Sequence, residues 1–321
     1  MNVSGLLRAA AGSFTARGAS QASSLLSSSL SPSSLLSFSL CSSCSVTRKM
    51  TSRRQADHLE RTSSNYRQES IFPARVCGIM NESMTVKRLR LAVPGSDFTF
   101  KAGQWVDFFI PGVEKVGGFS ICSSPGLLQR EGVIELAVKY SQHAPAYWIH
   151  KECAVDSEVA VRVGGDFFFD PQPSDLPVDL LLVAGGVGIN PLYSILLHMV
   201  DLLRGRRSRP DAYEPKSVRL CYSAKNPQEL LFKKTIAEVC QEFPGKVSCD
   251  FHVTQDSEDV DPQLRPLIRK GRISEEVLKE HLRGRDTLCY LCGPPPMIES
   301  VSEQLLHLGL SQDSILFEKW W

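Results

Sequence analysis

The stretch that decides the fold is Leu180-Leu-Leu-Val-Ala-Gly-Gly-Val-Gly-Ile-Asn-Pro191. Its first residues form an apolar run that suits a buried strand, and its glycines lead into a helical segment. Asn190 suits the N-cap of that helix and Pro191 its first position. Such a turn leaves backbone N–H groups free at the start of the helix, which favours binding of an anion such as a diphosphate. The alternative is a tight turn with a purely structural role.

Apolar strands alternate with helical segments throughout the region that this stretch opens. The alternation predicts a five-stranded parallel sheet with helices on both faces. The predicted strands cover residues 180–184, 218–222, 247–254, 287–292 and 314–317. Ligands bind such sheets outside the carboxyl ends of the strands, so functional residues are expected there.

A second turn, Cys292-Gly-Pro-Pro-Pro-Met297, follows a later strand of the same predicted sheet and again opens a helix. Because carboxyl ends of parallel strands lie at one edge, the two turns together indicate a single site. A proline-stiffened helix start with a buried cysteine is the structural alternative. Cys289 and Cys292 are three residues apart on one strand and therefore face opposite sides of the sheet, so they do not form a metal clamp.

The region before the parallel sheet has a different character. Residues 73–169 contain short strands separated by Gly and Pro turns, which predicts an antiparallel barrel or sandwich, with one helix over 144–151. Residues 170–177 are rich in Pro and polar residues and interrupt regular structure. We therefore divide the chain into a leader (1–56), a β-barrel domain (57–171), a linker (172–177) and an α/β domain (178–321).

The leader is serine-rich and basic. Residues 1–56 contain 17 serines, six basic residues and no acid, and apolar residues recur at helical spacing beside Arg8. This composition is typical of a mitochondrial transit peptide, and the matrix is the expected location. A plain disordered tail is the alternative.

Composition also excludes several classes of function. The full chain has a formal charge of +1, but the region after the leader holds 30 basic and 35 acidic residues, which disfavours nucleic-acid binding. No stretch reaches the roughly 18 uninterrupted apolar residues of a membrane helix. The ten cysteines contain no four-cysteine run for an iron–sulfur cluster. His143 and His150 lack a third ligand at suitable spacing, so no metal site is predicted.

With both turns in view, residues 73–321 resemble the ferredoxin–NADP reductase superfamily, in which an FAD-binding barrel precedes a pyridine-nucleotide domain. The resemblance implies that Gly185 through Pro191 hold the nucleotide's diphosphate and that Cys292, with Gly293 and Pro294, lies near the nicotinamide. It also implies that the terminal acid and aromatic, Glu318 and Trp320, lie near a flavin.

The barrel carries a modified form of the superfamily's flavin motif. The superfamily reads Arg-x-Tyr-Ser, whereas this chain reads Gly117-Gly-Phe-Ser120. By resemblance, Phe119 packs on the flavin ring and Ser120 contacts it, while the arginine that grips the FAD phosphate is replaced by Gly117. A second phosphate-contacting hydroxyl is replaced by Ala146. FAD is therefore expected from the superfamily, but these two losses predict weak binding.

These patterns predict an NAD(P)H-dependent flavoprotein oxidoreductase that passes electrons to an unidentified acceptor, either a small molecule or a redox protein. A pyridine-nucleotide-binding or sensing protein with lost flavin binding is the alternative, and a structural assembly factor that keeps only the fold is a third. NAD(H) is favoured over NADP(H), because only Ser223 and Lys225 follow the second strand, although Arg272 is near enough in the predicted topology to contribute. The predicted catalytic residues are Ser120, Cys292 and Glu318. The predicted cofactor-binding residues are Phe119, Ser120, Gly185, Gly186, Val187, Gly188, Ile189, Asn190, Pro191, Cys292, Gly293, Pro294 and Trp320.

Overall fold

A computed structural model describes residues 57–206, 213–255, 261–282, 284 and 286–320. The predicted leader, residues 1–56, lies outside this range. Within it the chain forms an antiparallel barrel followed by a parallel sheet with helices, which confirms the predicted fold class.

The barrel is a six-stranded antiparallel sheet in which the two edge strands meet. The strands are β1 (Phe72–Asn81), β2 (Val86–Ala92), β3 (Trp105–Phe109), β4 (Gly117–Ser120), β5 (Val133–Lys139) and β6 (Glu158–Gly164), in the order β4-β3-β6-β1-β2-β5. A bridge between Ile121 and Leu136 joins the end of β4 to β5, and the Cys122 N–H donates to the Glu135 carbonyl at 2.8 Å. Alternate residues of the strands fill the interior, as strand periodicity requires.

Three helices accompany the barrel: α1 (His58–Arg61), α2 (Pro125–Glu131) and α3 (Ala144–Lys151). Helix α3 has the predicted bounds, and it buries Ala146 and Ile149 in the barrel core. Sequence reasoning missed α1, α2 and strand β1. The short helices give little periodic signal, and β1 is buried on alternate residues only over its first half.

The parallel sheet has six strands rather than five. Its strands are β7 (Asp179–Gly185), β8 (Ser217–Ala224), β9 (Val247–Val253), β10 (Ile268–Lys270), β11 (Thr287–Cys292) and β12 (Ile315–Glu318), in the order β10-β9-β8-β7-β11-β12. The additional strand, β10, has three residues and no fully buried side chain, so its sequence carries no clear apolar pattern. The strand order changes direction between β7 and β11, which is where α/β sheets bind ligands.

The helices of this domain cover both faces of the sheet. They are α4 (Ile189–Gly205), α5 (Lys233–Glu242), α6 (Glu275–His281) and α7 (Pro295–His307). Two separate apolar clusters result, one containing α4 and α5 and the other α6 and α7. Cys289 and Cys292 belong to different clusters, which confirms that they face opposite sides of the sheet. The segment 186–205 is apolar and long enough to span a membrane, but most of it is buried inside the protein, as a core helix would be.

Helix α4 also joins the two domains. The Asn190 side-chain amide donates to the Ala137 carbonyl of β5 at 2.7 Å, and the Ser194 hydroxyl donates to the Ser123 carbonyl at 2.7 Å. Both polar side chains are buried, so these bonds fix the helix against the barrel in a low-dielectric environment. The carboxyl edge of the parallel sheet therefore faces the barrel.

Candidate functional site

The two glycine turns pack directly against each other at the carboxyl edge of the parallel sheet. A Cβ atom at Gly188 would overlap the backbone of Cys292 and Gly293, and one at Gly293 would lie 3.1 Å from the Gly185 Cα. The absence of side chains at these glycines lets backbone meet backbone. The prediction that both turns belong to one site is consistent with this packing.

Gly186 has a different role within the first turn. Its φ is +55°, in the left-handed region, and a Cβ there would have no atom within 4 Å. A short 3₁₀ turn, Gly186–Gly188, leads from it into α4, and the Gly188 N-cap has no side-chain hydrogen bond. Gly186 therefore combines an unusual backbone angle with open space in front of it, which suits close approach of a ligand.

A cavity of about 640 Å³ lies in front of these turns. Its walls come from the ends of β7, β8 and β9, the start of α7, and Thr85, Val86 and Lys139 of the barrel. Lys139, Lys225 and Arg272 bring positive charge to its lining. The volume falls within the range of small-molecule pockets, and the cations favour a phosphate-bearing ligand.

Contacts between the domains define one side of the cavity. Asn226 caps the 3₁₀ turn Pro227–Glu229 by accepting from the Glu229 N–H at 3.1 Å. The Glu229 carboxylate accepts from the Thr85 hydroxyl of the barrel at 3.0 Å. This cap therefore holds a carboxylate of the cavity wall against the barrel.

The predicted nucleotide-binding residues divide into two groups. Gly185, Gly186, Val187 and Pro294 line the cavity, whereas Ile189, Asn190 and Pro191 are buried behind the turn. The prediction that Asn190 is the N-cap is wrong: Gly188 is the N-cap, and Asn190 lies inside the helix with its amide turned to the barrel. The 3₁₀ turn starts the helical path earlier than the sequence indicates, which moves Asn190 and Pro191 into the first turn.

Cys292 and Glu318 lie side by side on neighbouring strands, where they are register partners of β11 and β12. Cys292 is 1% exposed and Glu318 is 8% exposed, and neither lines the cavity. Burial, with a smaller contribution from Glu318, raises the pKa of the Cys292 thiol, so it is a neutral thiol. Burial, assisted by the negative charge of Asp166, raises the pKa of Glu318 to about 8. Glu318 can therefore hold or release a proton near neutral pH.

The barrel strand β4 places the modified flavin motif. Gly117 and Phe119 share one face of β4 with the barrel core, and the Phe119 ring packs edge-on to Phe108 with centroids 5.6 Å apart. A Cβ at Gly117 would lie 2.6 Å from the Phe119 ring and 3.0 Å from Pro145 of α3. The Phe119 ring thus occupies the space beside position 117. Ser120 lies on the opposite face and is buried.

On the Ser120 face of the barrel, the His58 ring lies against Gly118 and contacts two further aromatic rings, Trp105 and Trp320. The His58 ring stacks on Trp320 with centroids 5.9 Å apart and an interplanar angle of 21°, and it meets Trp105 edge-on at 5.0 Å. A Cβ at Gly118 would overlap the His58 ring. We call this space, bounded by Trp105, Gly118 and Trp320, the ring slot; His58 fills it.

A buried charge network holds His58 in the ring slot. The His58 Nε2 lies 2.7 Å from Asp107 Oδ1, and Arg67 and Arg162 form ion pairs with the other Asp107 oxygen at 2.9 and 2.7 Å. Burial acts to raise the pKa of Asp107, but hydrogen bonds from His58, Arg67 and Arg162 outweigh it and lower the pKa. Asp107 is therefore a carboxylate with three partners, which gives the His58 ring a fixed acceptor.

Sequence reasoning missed this network entirely. One local signal was present: Asp57 and Glu60 form a capping box around the start of α1, with hydrogen bonds of 3.0 and 3.1 Å. The pattern D-x-x-E marks a helix start. It could have identified an ordered segment at the start of the barrel domain, but nothing local links His58 to Trp320.

With His58 in the ring slot, the residues do not fit an FAD whose ring rests on Trp320. His58 covers the Trp320 face in the ring slot, Phe119 is turned into the barrel core, and position 117 offers no cation. The carboxyl-edge cavity shows the opposite result, since its glycine turn is open and three cations line it. Across the described ranges, no group of three or more His, Cys, Asp or Glu side chains is placed to bind a metal ion.

Comparisons with known proteins identify the family to which this chain belongs. The family described as "Oxidoreductase NAD-binding domain" matches residues 182–303. "Oxidoreductase NAD-binding domain-containing protein 1" is 67% identical in Danio rerio over 85% of this chain and 100% of that protein, and 55% identical in Homo sapiens over 86% and 88%. The reductase component of propane 2-monooxygenase from Rhodococcus jostii is 30% identical over 77% of this chain and 62% of that protein.

Solved structures support the fold. The cytochrome P450 reductase GcoB of Amycolatopsis superposes with a TM-score of 0.62 at 23% identity, covering 78% of this chain and 69% of GcoB. A ferredoxin NADP⁺ reductase from Neisseria gonorrhoeae, with bound FAD and NADP, superposes with a TM-score of 0.60 at 18% identity, covering 78% and 99%. At these identities the likeness establishes the two-domain architecture.

Proposed function

Because this chain belongs to the family of oxidoreductase NAD-binding domain-containing protein 1, we propose that it is a pyridine-nucleotide-dependent oxidoreductase that binds NAD(H) in the carboxyl-edge cavity. The observation that carries the proposal is Gly186, which has a positive φ and faces open space at the start of α4. A diphosphate there would meet backbone N–H groups and the positive end of the helix dipole.

The cavity also provides for the rest of a dinucleotide. Ser223, Lys225 and Asn226 line it at the end of β8, and Pro294 and Met297 line it beside the second turn. A dinucleotide with its diphosphate at Gly186 would then extend one end toward Lys225 and the other toward Cys292 and Glu318. We propose the second end for the nicotinamide.

Glu318 and Cys292 would serve the reaction in different ways. The Glu318 carboxyl, whose pKa burial raises to about 8, would hold a proton at that end of the site and supply it to an acceptor near neutral pH. The neutral Cys292 thiol is buried behind the cavity wall and would support the turn that follows it rather than act as a nucleophile, since only a thiolate is reactive.

The flavin and the final acceptor form the finer part of the proposal. A flavin supplies hydride acceptance and stepwise electron release to an acceptor of unidentified class when it is bound, and in this chain that chemistry would require His58 to vacate the face of Trp320. Similarity to the reductase component of a monooxygenase favours a flavin-dependent reductase. The second candidate is a nucleotide-binding or sensing protein without flavin turnover, and Gly117, Ala146 and the presence of His58 on Trp320 favour it.

The deciding experiment is an absorbance spectrum of the purified protein from residue 57 onward, with and without added FAD, followed by anaerobic addition of NADH. Bleaching of flavin absorbance by NADH would support the reductase. NADH binding, detected by fluorescence, without flavin reduction would support the second candidate. Failure to bind NADH would contradict both.

We also propose mitochondrial import directed by residues 1–56, on the strength of their acid-free, serine-rich composition. Fusing residues 1–56 to a fluorescent reporter should direct it to mitochondria. A matched fusion in which Arg8 and Arg17 are replaced by glutamate should remain in the cytosol. A diffuse signal from the unaltered fusion would contradict the proposal.

A further inference from the structure

The ring slot has the properties of a binding site for a planar heterocycle. Trp320 supplies a flat stacking face, and Gly118, which has no side chain, leaves room for the ring that lies against it. Asp107, which is fully buried, supplies a hydrogen-bond acceptor at the edge. In addition, Trp105, whose ring meets His58 edge-on, has a buried indole N–H that lies against Gly165 and has no acceptor among the described residues.

The occupant of the slot belongs to a short segment that precedes the barrel. We call residues 57–68 the amino-terminal strap. It comprises α1 and an extended run in which Arg67 pairs with Asp107 and the Gln68 side chain donates to the Thr99 carbonyl at 2.8 Å. His58 is the part of the strap that enters the slot, and it is 2% exposed.

The strap also holds the other end of the described chain. Arg61 donates to the Trp320 carbonyl at 2.9 Å, while His58 stacks on the Trp320 ring. Trp320 lies two residues after Glu318, the register partner of Cys292. The ring slot and the Cys292–Glu318 pair are therefore adjacent parts of one region between the domains.

We propose that the amino-terminal strap is a built-in plug, in which His58 occupies a slot for a flavin-type heterocycle and must leave before such a ring can stack on Trp320. This rests on the proposed function for the class of ring, because a flavin is the planar heterocycle that would accept hydride beside Cys292 and Glu318. The strap thereby controls whether the chain binds a flavin ring.

Competition between His58 and an incoming ring determines how much His58 weakens flavin binding. If only a small fraction of the protein has an empty slot, the apparent dissociation constant equals the intrinsic one divided by that fraction. Removing the His58 stack and its hydrogen bond should make the open state common. We expect affinity for a flavin ring to increase by about tenfold or more.

The test uses riboflavin, because it carries the ring without phosphates and is therefore insensitive to the glycine at position 117. Wild type and His58→Ala would be titrated by quenching of flavin fluorescence. The expected result is at least about a tenfold lower dissociation constant in His58→Ala. Adding Trp320→Ala to His58→Ala should abolish the gain, since it removes the stacking face. Tyr66→Ser, an exposed strap residue, serves as the matched control and should match wild type.

Two outcomes would overturn the proposal: riboflavin affinity that does not rise in a folded His58→Ala, or a gain that persists without Trp320. If His58→Ala fails to fold, Asp57→Ala is the replacement, because it loosens α1 without touching the slot and should give a gain of a few-fold. NADH titration of the same proteins keeps the two proposals separate. Loss of NADH binding contradicts the proposed function, whereas the riboflavin comparison alone decides the plug.

Discussion

The carboxyl-edge cavity and the ring slot are both proposed as cofactor sites, yet only the first is open. Glycines shape each of them. Gly186 faces open space in the cavity, whereas the space above Gly118 in the slot is filled by His58. The difference shows that a glycine can leave space in front of a turn or admit close contact with a ring, depending on what packs against it. Motif resemblance alone cannot distinguish the two.

The largest expected effect distinguishes Gly188 from Gly186 within the first turn. Gly188→Ala places a Cβ into the backbone of Cys292 and Gly293, so it should destabilise the α/β domain by about 3 kcal/mol and abolish NADH binding. Gly186→Ala has space for its Cβ and should cost only about 1 to 2 kcal/mol, from the left-handed backbone. Thermal unfolding and NADH titration would measure both.

A methyl group at Gly186 also projects toward the ligand, so NADH affinity should fall by at least about tenfold while the fold persists. Equal losses of stability in the two variants would mean that the turns do not pack as described. Unchanged NADH affinity in Gly186→Ala would mean that the open space is not the diphosphate site.

The second effect concerns the ionisation of Glu318. Its folded-state pKa of about 8 exceeds the ordinary carboxyl value, so the unfolded chain binds fewer protons between about pH 4.5 and 8. The group therefore costs no stability below about pH 4.5, and the cost grows as pH rises to about 8. Glu318→Gln should consequently raise stability by about 1 to 4 kcal/mol at pH 8.5 and leave it nearly unchanged at pH 4.5.

Urea unfolding at the two pH values would measure this difference. Glu299→Gln, on the surface of α7, is the matched control and should show no such pH dependence. A Glu318→Gln protein whose stability differs from wild type equally at both pH values would show that folding does not raise the pKa of Glu318.

The third effect tests the phosphate side of the flavin motif. Sequence reasoning alone expects Gly117→Arg to tighten FAD by restoring a charge-assisted bond. The structure adds a condition, because a Cβ at position 117 meets the Phe119 ring at 2.6 Å. Gly117→Arg alone should therefore give little gain, whereas Gly117→Arg with Phe119→Ala should bind FAD about tenfold more tightly than Phe119→Ala alone.

Flavin fluorescence would provide these affinities in a His58→Ala background, so that the ring slot does not limit binding. A full gain from Gly117→Arg alone would show that the Phe119 ring moves freely. No gain in either protein would place the FAD phosphate away from position 117.

The smallest effect concerns the choice of nucleotide. Lys225 and Arg272 both line the cavity, and Arg272 is the observation that favours NADP(H) over the proposed NAD(H). If NAD(H) is the ligand, Arg272→Ala and Lys225→Ala should each change NADH affinity by about twofold or less, and wild type should bind NADPH no more tightly than NADH. NADPH affinity that exceeds NADH affinity and falls about tenfold in Arg272→Ala would reverse the assignment.

Sequence patterns predicted much of this molecule because its main signals are local. The apolar run before Gly185 and the Pro-rich turn after Cys292 predicted the parallel sheet and the edge at which the cavity lies. Helix α3 was likewise predicted with its bounds. Asn190 shows the limit of a local rule, since a 3₁₀ turn shifted the cap by two residues and the amide bonded to the other domain instead.

The ring slot could not be predicted for a related reason. Its members come from four places in the chain, and only the fold brings His58 to Trp320, 262 residues away in sequence. Resemblance to the superfamily draws attention only to the arginine that Gly117 replaces. The neighbouring Gly118 also leaves space for a ring, but no local sequence pattern indicates that His58 fills that space.

If the strap is regarded as a tether and His58 as its ligand, the length of the strap determines the effective concentration of His58 at the slot. The side chain is held near the slot by a segment of about ten residues anchored at Arg67 and Gln68. Such short tethers give an effective local concentration in the millimolar range. A free heterocycle with the same intrinsic affinity as imidazole would need a similar concentration to displace it, so only a ligand with further contacts can compete at micromolar levels. The tether therefore sets a concentration threshold, and shortening or lengthening it would shift that threshold without altering the slot.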